Sequence, residues 1–134
     1  MGAGTVPIKF DIRENGWVIY LLLTDPWTVE EMWPYVEMNR LHREQCMHPV
    51  HSFYNLIGNR RLPPNVLRLR HGSPDLVHPR SGQVILIGAN PTVGSVIEVI
   101  FRLARFNRFK FFSTEEEGWA YLQVLIKAAQ AVQD

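Results

Sequence analysis

Apolar and polar residues alternate over Ile8 to Arg13, "IKFDIR", the period of a strand with one buried face. Glu14-Asn15-Gly16 is turn chemistry, because Asn and Gly accept positive φ at low cost. "WVIYLLLT" is then almost continuously apolar, as a strand covered on both faces is. These segments predict an opening hairpin. Thr28 stands three residues before Glu31, the spacing of a capping box, and predicts a helix to about Gln45. Its apolar stripe starts on Val29, Met32, Trp33 and Val36 and slips round to Met38 and Leu41. Pro34 either kinks this helix or marks its true start. Val50 to Leu56 reads as a third strand, Gly58 to Pro64 as a loop, and Asn65 to about Arg70 as a short capped helix. Gly72-Ser73-Pro74 and Pro79 to Gly82 make a second loop. "QVILIG" is a fourth strand, interior by its apolar density. Asn90 as cap and Pro91 as first helical residue open a helix to about Phe106. "RFKFFS" is a short fifth strand. Thr114 and the three glutamates after it open a last helix, with Trp119, Leu122, Leu125, Ile126, Ala129 and Val132 as its stripe.

The predicted order is β-β-α-β-α-β-α-β-α. Such alternation means an α/β fold, with a mixed, mostly parallel sheet of about five strands, about four helices, and an antiparallel edge from the hairpin. The 134 residues suit one domain, residues 1–134, with 1–7 expected as a flexible tail. Composition, 46% apolar and 20% charged, is that of a soluble globular protein. A single cysteine, Cys46, precludes an internal disulfide and fits a reducing, cytoplasmic setting. The longest apolar run, Val18 to Leu23, is too short to span a bilayer, so no membrane span is expected. The start lacks a signal-peptide layout, and Val6 stands where myristoylation needs Ser or Thr.

The net charge of +1 hides an uneven distribution. Leu56 to Ser113 holds nine basic residues and two acidic ones, Asp75 and Glu98; the remainder holds five basic and eleven acidic. The middle therefore carries +7 and the flanks −6. This asymmetry marks an anion-facing surface or two parts that neutralise each other in the fold.

With "DPWTVEEMW" after the second strand, "NRRLPPN" after the third and "VILIGANP" at the fourth, the chain resembles the SpoIIAA-like, or STAS, superfamily over about Ile8 to Val132. These marks look like those of a branch of uncharacterised bacterial STAS-like proteins, and the architecture recurs in CRAL-TRIO lipid-transfer domains. The resemblance implies a non-enzymatic interaction or regulatory module. In anti-sigma-factor antagonists of this superfamily, a Ser or Thr just after the third strand is phosphorylated, which disrupts docking to a partner kinase. The matching stretch, "GNRRLPPN", has neither residue, so the switch does not carry over.

Asn59, Arg60, Arg61 and Asn65 form the strongest polar constellation, since two guanidiniums on a loop at a strand's C-terminal end can grip phosphate or carboxylate. If the third and fourth strands are parallel neighbours, Gly88 and Asn90 share that edge, where ligands gather in open α/β sheets. Gly88, Asn90 and Gly94 fall short of a dinucleotide fingerprint, because the middle glycine is missing. His42, His48, His51 and Cys46 cluster without a zinc spacing, and nothing suggests an activated thiolate. No acid, base or nucleophile stands out, so an enzyme ranks third, and neither cofactor nor metal is expected. The helix from Pro91 shows one core face, Val93, Val96, Ile97, Ile100, Leu103 and Ala104, and surplus apolar residues. Val99, Phe101, Arg102, Arg105 and Phe106 are therefore candidate interface residues for a homodimer, a neighbouring helix or a lipid surface. Phe109 and its alternates belong to a strand's core face, which argues against nucleic acid. The leading expectation is a protein-interaction module, the alternative a binder of a small anionic or lipid-like ligand at the Arg60–Asn65 and Gly88–Pro91 edge.

Overall fold

The computed structural model describes residues 6–133. Residues 1–5 of the expected tail lie outside the described residues. The elements are β1 (Ile8–Arg13), β2 (Val18–Thr24), α1 (Val29–Gln45), β3 (Val50–Gly58), a 3-10 turn (Val66–Arg70), α2 (Pro74–Val77), β4 (Ser81–Ile87), α3 (Pro91–Leu103), β5 (Phe109–Phe112) and α4 (Glu115–Gln133). The five strands lie side by side in sequence order. β1 is antiparallel to β2, and the pairs β2–β3, β3–β4 and β4–β5 are parallel. The fold is therefore the α/β class expected, with the hairpin as the antiparallel edge.

Local chemistry accounts for the element ends. Glu14, Asn15 and Gly16 all take positive φ and turn the hairpin. The capping box forms at α1: Glu31 N donates to Thr28 Oγ1 at 3.0 Å, and Thr28 N donates to Glu31 Oε1 at 2.9 Å. The helix starts at Val29 and runs through Pro34. Asn90 caps α3, accepting from Val93 N at 2.8 Å, with Pro91 in the first turn. Asn65, in contrast, makes no side-chain cap bond, and the turn that follows it is 3-10. The stretch read as a second loop contains the four-residue α2.

Alternate strand residues feed two separate cores. Ile19, Leu21 and Leu23 of β2, Leu56 of β3, and Val84 and Leu86 of β4 face Met32 of α1, Val66 of the 3-10 turn and Val93, Ile97 and Ile100 of α3. Val18, Tyr20, Phe53, Ile85 and Ile87 face Leu122 and Ile126 of α4. Three connections thus cover one face and a single helix covers the other.

Two of the expected interface residues belong to the first core. Phe101 and Phe106 are buried, their ring centroids 5.3 Å apart, and Phe101 lies 4.6 Å from Phe109. The α3 stripe runs Val93, Ile97, Ile100 and Phe101, so Leu103 falls outside it and is 58% exposed. The helix end explains Phe106. Arg105 takes φ 54° and the chain folds back in a Schellman motif, with Phe106 N bonded to Phe101 O at 2.8 Å and Arg105 N to Arg102 O at 3.1 Å. Val99, Arg102 and Arg105 are exposed. Val132, expected on the α4 stripe, is also exposed.

Candidate functional site

The three stretches that carried the family resemblance meet at the C-terminal edge of the parallel strands. Asp25 Oδ2 accepts from Arg60 N at 2.7 Å, which ties the loop after β2 to the loop after β3. Trp27 Nε1 donates to Asn59 Oδ1 at 2.8 Å, and Asn59 Nδ2 donates to Leu23 O at 2.6 Å. Asn90 Nδ2 donates to Asn59 O at 3.2 Å and Arg60 O at 3.0 Å, which adds the loop after β4. The expected neighbourhood of the two loops is therefore real. Its chemistry differs from the expectation: Asn59 is buried, and its amide and that of Asn90 are engaged in holding loops together. Gly88 has φ 72°, and a Cβ there would stand 2.2 Å from Ile57 Cγ1, so close packing as well as turn geometry demands the glycine. Arg60 and Arg61 are exposed on this edge, and Asn65 is half-buried.

Beneath the edge, between the three-connection layer and the sheet, lies an apolar cavity of about 110 Å³. Leu21, Leu23 and Leu86 form its floor, Tyr35 and Ile97 lie on α1 and α3, and Leu62 comes from the Arg61 loop. Trp27, pinned by Asn59, also lines it. Among these apolar walls stand three polar residues, Asn39, Tyr54 and Asp75, with Ser73 beside them.

Those residues belong to a buried network. Asp75 is 5% exposed and Arg43 fully buried, with Arg43 Nη1 3.3 Å from Asp75 Oδ1. Asp75 Oδ1 also accepts from Asn39 Nδ2 at 3.0 Å and Ser52 Oγ at 2.5 Å, and Asp75 Oδ2 accepts from the Tyr54 hydroxyl. Arg43 Nη2 donates to Val50 O at 3.0 Å and Ser52 Oγ at 2.9 Å. Burial alone would raise the Asp75 pKa. The Arg43 charge, with hydrogen bonds from Ser52, Tyr54 and Asn39, outweighs it and holds the carboxyl below its usual range. Tyr54 is pushed well up by burial and then by the Asp75 charge, so its phenol stays protonated. The network is thus one anion and one cation, neutral in sum. Because Asp75 is ionised, accepts three hydrogen bonds and is paired with Arg43, it is a poor proton acceptor for chemistry. Three buried atoms of the network have no hydrogen-bond partner among the described residues: Arg43 Nε and Nη1, both donors, and Asn39 Oδ1, an acceptor on a residue 3% exposed.

Sequence reasoning missed this network, although it left a signal. Met32, Val36, Asn39 and Arg43 recur at spacings of four, three and four, one face of a helix. The stripe continues inward through polar residues, while Met38 and Leu41, where it was expected to slip, are exposed.

The histidines have structural partners. His42 Nε2 lies 2.9 Å from Gly16 O, and His48 stacks on Trp17 with centroids 3.8 Å apart. His51 Nδ1 accepts from Gln83 N at 2.9 Å; burial, then the Arg43 and His48 charges, lower its pKa to about 4. Burial also raises the Cys46 thiol. On the other face, Glu115 Oε2 accepts from Tyr20 and Asn55. Burial and then Glu115 push Tyr20 up to about 12. Among the described residues no three His, Cys, Asp or Glu converge on a metal position, and no helix is long and apolar enough to cross a membrane.

Compared with known proteins, the chain matches no family model, no curated protein and no solved structure.

Proposed function

We propose that this domain is a non-enzymatic binder of a small, mainly apolar ligand of lipid-like character, held in the cavity between α1, the 3-10 turn, α3 and the sheet. The observation that carries the reading is the cavity itself: an apolar chamber with a few convergent polar groups is the usual form of a ligand site. The Asn59–Trp27 and Asn90–Arg60 bonds act as its frame. This moves the expected ligand from the rim, at Arg60 and Arg61, to the chamber below it. A STAS-like membership is proposed with it, supported by the element order alone. A second reading, a protein-interaction module or homodimer through α3, is favoured by the exposed Val99 and Leu103.

Calorimetric titration with toluene tests the first reading. Binding is expected for the unmodified chain and is lost in Leu62→Trp, which fills the chamber from a half-buried loop position. No heat and no rise in Tm with toluene would overturn it.

A further inference from the structure

Resting on the cavity reading, we propose that the site selects an uncharged ligand whose polar end donates a hydrogen bond, a small phenol or alcohol, which it reads through Asn39 Oδ1.

The chemistry follows from donor and acceptor counting. A carboxylate only accepts, so the Asn39 amide must turn its nitrogen towards Asp75. The oxygen then faces away from Asp75, and it is a buried acceptor without a partner among the described residues. An unmet acceptor in an apolar chamber favours a donor over a methyl group of the same size. The Tyr54 oxygen, whose proton goes to Asp75, offers a second acceptor on the same chamber. Asn39 and Tyr54 both line the cavity, and Asp75 lies beside them.

Charge is excluded on either sign. An anionic head would meet Asp75 among the lining residues, whereas Arg43, despite its unpartnered Nε and Nη1, does not line the cavity. A cationic head would add an unbalanced charge to a network in which Arg43 already neutralises Asp75. Size narrows the class further. An apolar cavity of about 150 Å³ takes up benzene. The 110 Å³ found here is smaller, which limits a ligand to at most a single ring or a short branched chain.

The test compares three probes of nearly equal shape, phenol, toluene and benzoate, on the unmodified protein by calorimetry. Phenol is expected to bind about two- to tenfold more tightly than toluene, the worth of one neutral hydrogen bond. Benzoate is expected not to bind. Asn39→Leu keeps the apolar wall and removes the acceptor, so the phenol preference should shrink to within about twofold while toluene binding persists. Should that variant fail to fold, Tyr54→Phe with the same probes gives a partial loss of the preference. Equal affinity for phenol and toluene, or benzoate binding as well as phenol, would overturn the head-group assignment and leave the cavity reading standing. A phenol preference that survives intact in Asn39→Leu would overturn the role of Asn39. Failure of all three probes would overturn the cavity reading itself.

Discussion

The two faces of the sheet are closed in different ways. Against α4 the packing is close. Gly118 lets the helix press onto the strands, and a Cβ at this position would stand 2.7 Å from Ile87 Cδ1 and 2.8 Å from Phe53 Cε2. Trp119 stacks on Phe53 with centroids 4.2 Å apart, and Arg13 lies 3.6 Å above the Tyr20 ring. The opposite face holds a 110 Å³ chamber and a buried ion pair. One long helix can be seated by a single small residue. Three connections must meet one another as well as the sheet, and the one between β3 and β4 offers only the Val66–Arg70 turn and the four-residue α2, too short to fill the gaps. Interiors normally pack to crystal density, so a cavity beside buried charge carries a stability cost.

The largest expected effect separates the faces by charge. Arg43→Met leaves Asp75 buried without its cation and should destabilise by about 3–5 kcal/mol in urea unfolding. Adding Asp75→Leu to it should recover much of the loss. If the single change costs under about 1 kcal/mol, the pair is not what orders this face.

Acid should act next, through His51. Its pKa is about 4 in the fold against 6.5 ordinarily, so the unfolded chain takes up the proton first. Its contribution is fully present above pH 6.5 and is lost as the pH falls towards 4, a decline of about 3 kcal/mol. Asp75, with a lowered pKa, loses its contribution only below the usual carboxylate range. His51→Gln should flatten the decline between pH 6.5 and 4, whereas an unchanged pH profile would show that another group drives it.

Enlarging a side chain should then give different results on the two faces. Gly118→Ala overpacks the α4 face and should cost about 1–3 kcal/mol. Leu62→Trp expands into the chamber and should cost less than Gly118→Ala. Equal losses would erase the distinction between a filled face and a hollow one. The smallest effect is expected at the rim, where replacing both Arg60 and Arg61 with Ala should change stability by no more than about 0.5 kcal/mol. A larger change would mean that the guanidiniums hold the loops.

Much of the fold was legible because its signals are local. The capping box at Thr28, the Asn90-Pro91 helix start and the strand alternation each depend on residues within one turn or one strand. The short α2 was hidden among Gly, Ser and Pro. Phe101 and Phe106 were misplaced because the Schellman turn rests on Arg105 at positive φ, where sequence reasoning looks for glycine. The shared edge of the loops after β3 and β4 was legible, yet the role of Asn59 depends on Trp27, a partner from another loop. The chamber was not legible at all. Its polar end joins Asn39, Tyr54 and Asp75 from three separate elements, and only the fold brings them together.

The central claim is that the sheet is hollow on the α1–α3 side and solid on the α4 side. Crystals pressurised with xenon, which enters apolar cavities, test it directly. The account predicts xenon among Leu21, Leu86 and Ile97, and none between the strands and Leu122 or Ile126. Xenon on the α4 side, or none beneath α1 and α3, would contradict it.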